Sequence, residues 1–227
     1  MTQENNDNER RVLIVEDSPF FAKLVQGRIL SDLKIESDIA GTYKAAVEQI
    51  ECYPGQYYLA VLDLNLPDST KGEVVDYTLK QGIPAIVVTA DLNKNIRDTI
   101  IRKRILDYLV KSGENILDQL IEIIMRLSKN QQRKILVVDD SKSARFVIRT
   151  LLEVHKFQIL EAENGKDALG ILKSDKDIRM VLTDNQMPVM DGYELIQAIR
   201  QSYSKEDMAV IGISSHGSGI MCANYLK

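Results

Sequence analysis

At 227 residues the chain has room for two domains of roughly 100–120 residues and is short for three. A composition 44% apolar with a net charge of −4 suits ordinary buried cores and gives no overall pull toward nucleic acid or an anionic membrane. Cys52 and Cys222 stand alone without C-x-x-C spacing, and His155 and His216 are the only histidines, which excludes a disulfide scaffold and a zinc site. Residues 1 to 10 are polar, lack the apolar core of a secretory signal and read as a disordered tail. Residues 208 to 226 carry no charge but are studded with Ser, Gly, His and Asn, which argues against a membrane span. The chain reads as cytoplasmic, with neither membrane nor nucleic acid as a partner.

In chain order, RVLIVEDSP (11 to 19) begins with an apolar strand over 12 to 15. It ends on two acids, Glu16 and Asp17, with Pro19 at the favoured first position of a helix. Phe20, Phe21, Leu24, Val25, Ile29 and Leu30 recur at helical spacing, and the helix is expected to end near Leu30. A strand over 34 to 40 and a helix over 42 to 51 follow, the latter with Ala46, Val47 and Ile50 on one face. YYLAVLDLNLPD (57 to 68) is an apolar strand that meets Asp63 at its C-terminal end and passes into a loop with Pro67 and Gly72. Further expected elements are a helix over 73 to 80, a strand over 84 to 88 ending on Thr89, and a helix over 93 to 103. A strand over 105 to 111 ends on Lys111, and a fifth helix over about 114 to 127 buries Ile116, Leu117, Leu120, Ile121, Ile124 and Leu127. Residues 128 to 133 are polar enough for a linker or an extension of that helix.

KILVVDDSK (134 to 142) then restates the opening. Four apolar residues, Ile135 to Val138, suit a strand buried on both faces. Asp139 and Asp140 end it, and Ser141 has the side chain that caps a helix. A helix over 141 to 154, a strand near 157 to 161 and a helix over 164 to 173 follow. Asp184 ends the next strand, and a strand over 209 to 214 ends on Ser214, with a helix beginning beyond. Asp17 and Asp140, Asp63 and Asp184, and Thr89 and Ser214 are separated by a nearly constant interval of about 120 residues. The chain is therefore expected to hold two repeats, 11 to 127 and 134 to 227, the second stopping before a fifth strand and fifth helix.

Alternating strands and helices imply α/β domains with doubly wound parallel sheets and right-handed crossovers. Ligands in that architecture bind outside the carboxyl ends of the strands, where Glu16, Asp17, Asp63, Thr89 and Lys111 all fall. Two carboxylates about 4 Å apart repel by about 4 kcal/mol at an effective dielectric of about 20. Either a raised carboxyl pKa or a hard divalent cation must offset this, and Mg²⁺ suits carboxylates, waters and a phosphate oxygen. Lys111 cannot ligate a metal while protonated and suits a phosphate, as does a hydroxyl from Thr89 or Ser214. A carboxylate beside such a cation and a lysine is a candidate nucleophile toward phosphorus. Asp63 and Asp184, each ending its repeat's third strand, take that role, and the acid pairs hold the cation.

Both halves resemble receiver domains of response regulators in two-component signalling. The first does so through VEDS, LDLNLPD, VVT and DYLVK, the second through VDDS, TDNQMPVMDG and GIS. The resemblance implies two flavodoxin-like (βα)5 domains with parallel five-stranded sheets in the order 2-1-3-4-5. It implies phosphoryl transfer to Asp63 or Asp184 from a sensor histidine kinase or phosphotransfer protein, with Mg²⁺ required. Asp17 and Asp140 would ligate the ion beside Glu16 and Asp139, aided by the carbonyls of Asn65 and Gln186. Thr89 or Ser214 would move to the phosphate and Tyr108 would rotate inward, while Asp91 and His216 would tune hydrolysis of the acyl phosphate. Arg97, Arg102, Lys103 and Arg104 on the fourth helix, with Glu114, Asp118 and Glu122 on the fifth, suggest a homodimer through helix four, strand five and helix five.

Two departures stand out. Ser112 follows Lys111 where the family usually has proline, and the second repeat has no corresponding lysine. The leading expectation is a response regulator whose only chemistry in these residues is self-catalysed phosphoryl transfer, controlling an output domain that tandem resemblance suggests is a diguanylate cyclase. A stand-alone phosphorelay adaptor and a pseudo-receiver that binds partners without phosphorylation are the alternatives. A metal-dependent phosphatase is opposed by Asn65 and Gln186, which stand where a second catalytic Asp is needed.

Overall fold

The structure, a computed structural model, describes residues 11–69, 72–90, 94–113 and 115–213. The chain divides into two compact units, Met1–Arg126 and Leu127–Lys227.

The first unit holds β1 (Arg11–Val15), α1 (Pro19–Leu33), β2 (Glu36–Ala40), α2 (Tyr43–Cys52), β3 (Tyr57–Leu62), α3 (Glu73–Lys80), β4 (Ala85–Thr89), α4 (Lys94–Ile101) and β5 (Asp107–Val110), followed by α5 (Ile116–Asn130). Its sheet is parallel throughout, in the order β2-β1-β3-β4-β5. All six residues of β3 and all five of β4 are buried, as strands covered by helices on both faces require. Leu13, Val15, Ala60, Leu62 and Val87 from the sheet meet Val74, Val75 and Ile100 from the helices in one core. Helix starts follow the local chemistry. Ser18 accepts from the Phe21 amide with Pro19 just inside α1, and Thr42 accepts from the Ala45 amide at the start of α2. Asp68, from the loop after β3, also accepts from the amides of Tyr43 and Lys44.

Several sequence expectations are corrected here. Helix α1 runs on to Leu33, because Lys34 at φ 59° takes up the left-handed cap. Its buried face is Ala22, Val25 and Ile29, while Phe20, Leu24 and Leu30 are exposed. Helix α4 stops at Ile101, and Arg104 adopts φ 62°, so Arg102, Lys103 and Arg104 lie in the connection to β5. Of the two readings of residues 128 to 133, helix extension describes 128 to 130, which end α5, and 131 to 133 lead to the next strand.

The second unit holds β6 (Lys134–Val138), α6 (Lys142–Val154), β7 (Gln158–Ala162), α7 (Gly165–Ser174), β8 (Ile178–Asp184), α8 (Gly192–Arg200) and β9 (Ala209–Ile213). Its described strands are parallel in the order β7-β6-β8-β9. The shared topology puts β6 and β8, like β1 and β3, at the centre of the sheet. Helix α8 starts on a capping box of Asp191 and Glu194. The expected Ser214, His216 and following helix lie outside the described residues, as do Asp91 and Glu114. No helix among the described residues is long and apolar enough to cross a membrane.

Candidate functional site

Strand pairing brings the first acid set together. The Glu16 amide donates to Ala40 O (2.9 Å) and the Asp63 amide to Val15 O (2.8 Å), so the ends of β1, β2 and β3 are tied where the acids emerge. Ligand atoms of Glu16, Asp17 and Asp63 lie within 4.8 Å of one another, the only such acidic, histidine or cysteine trio among the described residues. Glu16 and Asp63 are buried and Asp17 is exposed, which leaves one carboxylate facing solvent at the mouth. The Lys111 amide donates to Thr89 O (2.8 Å), and its ammonium reaches Asp63 Oδ2 at 2.6 Å and Glu16 Oε2 at 2.7 Å. That ammonium also stands 4.9 Å from the centre of the Phe21 ring, a cation–π contact whose only trace in the sequence is an aromatic three residues after the acid pair's serine.

Burial raises the Glu16 carboxyl above its ordinary range, and the bonds from Lys111 oppose that rise. Burial alone pulls the Lys111 ammonium down, yet its bonds to Asp63 and Glu16 outweigh this and the net shift is upward. The Ser18 amide donates to Glu16 Oε1 (3.1 Å) and the Asn65 amide to Asp63 Oδ1 (3.1 Å). Both carboxylates are thereby oriented by backbone. Asn65 itself is exposed, Thr89 is fully buried at the end of β4, and Tyr108 is buried in the core with the Arg97 guanidinium 5.8 Å from its ring centre.

In the second unit Asp139, Asp140 and Asp184 line one open cleft with Ser141 and, on its apolar side, Val147 and Ile213. Asp139 is buried, Asp184 half-buried, and Asp140 and Gln186 exposed. Asp139 holds its proton more tightly than an ordinary aspartate because of burial. The Ser141 amide, which donates to its Oδ1 at 2.8 Å, opposes that shift, and the charges of Asp184 and Asp140 add to it. Sequence reading missed one residue here. Arg145, on α6, is 5% exposed and donates to the carbonyl of Asp139 (2.7 Å). An arginine four residues after a cap serine reads as a solvent-facing helix position, and only its glutamate partners on and beside β7 signalled otherwise.

The family of response regulator receiver domains matches residues 135–227. A chemotaxis protein CheY homolog of Campylobacter jejuni is 39% identical over 95 residues, spanning 41% of this chain and 73% of its own length. Two-component response regulator ORR3 of Oryza sativa is 36% identical over 84 residues, 37% of this chain and 64% of its own. The crystal structure of a two-component system response regulator/GGDEF domain protein matches with a TM-score of 0.78 at 35% identity, covering 95% of this chain and 87% of that one. Two parallel sheets of one topology, each with acids at the ends of its central strands, agree with these likenesses: the chain belongs to the response regulator receiver domain family, as a tandem of two such domains.

Proposed function

We propose that Asp63 and Asp184 accept a phosphoryl group from a sensor histidine kinase or phosphotransfer protein, with Mg²⁺ as the required cation, and that the modified form switches an output domain. The observation that carries this reading is the placement of the Lys111 ammonium 2.6 Å from Asp63 inside a trio of acids. One ammonium cannot offset three clustered carboxylates, and hard oxygen donors are the set that Mg²⁺ accepts. Glu16, Asp17, Asp63 and the carbonyl of Asn65 would hold the ion in the first unit. Asp139, Asp140, Asp184 and the carbonyl of Gln186 would do so in the second. Bound there, the ion supplies positive charge to the equatorial oxygens of the transferring group.

The chain's own groups account for the rest. An oxygen of Asp63 attacks phosphorus, the P–N bond of the phosphohistidine donor breaks, and its electron pair returns to the imidazole. Lys111 exchanges its bond to Asp63 for one to the new phosphate, and the Thr89 hydroxyl moves to the same group. Tyr108, at its buried position, follows that shift, so the altered surface is α4, β5 and α5. Asp91 and His216 tune hydrolysis of the acyl phosphate. Ser214 stands for Thr89 in the second unit.

A diguanylate cyclase output is supported by the likeness, over 95% of this chain, to a protein described as a response regulator/GGDEF domain protein. A homodimer through α4, β5 and α5 draws less support, because Lys103 pairs with Asp76 and Asp118 with Arg28 inside the same unit. The proposed setting is the cytoplasm, where histidine kinases deliver phosphoryl groups.

Acetyl phosphate with Mg²⁺ is expected to give a hydroxylamine-sensitive phosphoryl adduct on the Asp63 peptide, seen by mass spectrometry. Asp63→Asn should abolish it, and chelation of the metal should suppress it. An adduct that persists in Asp63→Asn, or none in the wild type, refutes the assignment.

A further inference from the structure

The two units carry different chemistry behind their acid pairs. Ser18 and Ser141 occupy the same cap, and four residues on stand Ala22 in the first unit and Arg145 in the second. Val15 pairs with Ala40 and Val138 with Ala162, so Ile39 and Gly41 in the first unit match Glu161 and Glu163 in the second. Three positions thus differ together, apolar or small in one repeat and ionic in the other.

Those ionic residues form one network. Arg145 Nη1 donates to the carbonyls of both acids, Asp139 O at 2.7 Å and Asp140 O at 3.4 Å. From the other side Nη2 donates to Glu163 Oε1 at 2.8 Å and Nε to Glu161 Oε2 at 3.2 Å. Arg149 Nη1 holds Glu161 Oε1 at 3.2 Å. A guanidinium is a planar fork with fixed donor directions. Buried and anchored by two glutamates, it fixes the direction of the carbonyls it grips. The Asp139 and Asp140 side chains spring from that same stretch of backbone. Leaving the guanidinium without its acceptors would strand a buried charge, so the network favours this one backbone arrangement.

We infer that Arg145, held by Glu161 and Glu163, is a positioning residue that presets the second unit's acid pair for a divalent cation, a device that the first unit lacks. Its hydrogen bonds go to the carbonyls of Asp139 and Asp140 and to Glu161 and Glu163, so it acts through the backbone of the acid pair, with its charge felt at the Asp139 carboxyl as well. The inference rests on the proposed metal site. Partners one step removed from a metal set affinity in this way, and losing one costs about ten-fold or more.

The test is a magnesium titration of the whole chain followed by residue-resolved NMR, with the amides of Asp140 and Ser141 reporting the second site and those of Asp17 and Ser18 the first. Arg145→Ala is expected to weaken magnesium binding at the second site by about ten-fold and leave the first unchanged. Arg145→Lys should recover part of the loss, and Glu163→Gln, at an exposed side chain, should give a smaller loss in the same direction. Should Arg145→Ala fail to fold, unchanged second-site affinity in both Arg145→Lys and Glu163→Gln overturns the inference. A wild-type protein whose second-site amides ignore magnesium overturns the metal reading as well. A wild-type response that folded Arg145→Ala leaves unaltered overturns the positioning role alone.

Discussion

Lys111 concentrates the energetics of the first site in one side chain. It is 19% exposed and bridges two carboxylates that are each 4% exposed, so removing it leaves two buried charges without a counter-ion. Lys111→Met is expected to destabilise the first unit by about 3–5 kcal/mol at neutral pH, measured by urea denaturation. The pH dependence has a definite sign. A lysine whose pKa is raised on folding contributes stability that is fully present below its unfolded value, 10.5, and that is lost as pH climbs through the higher folded value. On the acid side the Glu16 carboxyl is also raised, so it takes up its proton sooner than an exposed glutamate. The difference between wild type and variant should therefore be widest in the neutral to mildly alkaline range, and shrink above about pH 10.5 and as Glu16 is neutralised.

Element by element, the strands were the most readable parts. Runs such as Ile135 to Val138 have no explanation in a water-facing segment, and acids directly after them fix which end of the sheet is functional. Helix ends were harder, since Lys34 and Arg104 terminate or follow helices by adopting a left-handed backbone that non-glycine sequence does not announce. Helical spacing alone did not identify the buried face of α1, because Phe20 and Leu24 repeat at that spacing yet are exposed, while small Ala22 is buried. Asp63, Glu16 and Lys111 could be placed from strand ends, whereas Arg145 could not, because its role depends on glutamates contributed from another element. Helix α8 passed without notice although Asp191 and Glu194 mark its start. Its first residue, Gly192, has no space for a side chain: a Cβ there would meet the carbonyl oxygen of Asp184 and Cα of Asn185. Gly192→Ala is expected to cost about 2–3 kcal/mol in the second unit and to lower phosphorylation at Asp184 while sparing Asp63. Unfolding curves and peptide-resolved mass spectrometry would measure the two effects.

For the whole molecule, two units with separate cores and separate acid sites should answer the cation separately. Magnesium at a hundred-fold excess over its dissociation constant should stabilise each unit by about 2.7 kcal/mol if it binds only the folded form. Hydrogen exchange resolved along the chain is expected to show this protection in both units. Asp17→Asn should remove it from the first alone and Asp140→Asn from the second alone. Loss of protection in both units from either substitution would contradict separate sites.

A tandem of like domains also faces a hazard during synthesis, when a helix of one repeat can pack onto the sheet of the other. The ionic triplet of the second repeat bears on that hazard. Were α6 to settle on β2, Arg145 would face Ile39 and Gly41 in place of its two glutamates, a mismatch worth about 3–5 kcal/mol if the guanidinium stayed buried without those partners. Were α1 to settle on β7, Glu161 and Glu163 would lose their guanidinium to the methyl group of Ala22. The three residues argued to shape the acid pair would thereby also penalise a helix of one repeat that settled on the strands of its sibling.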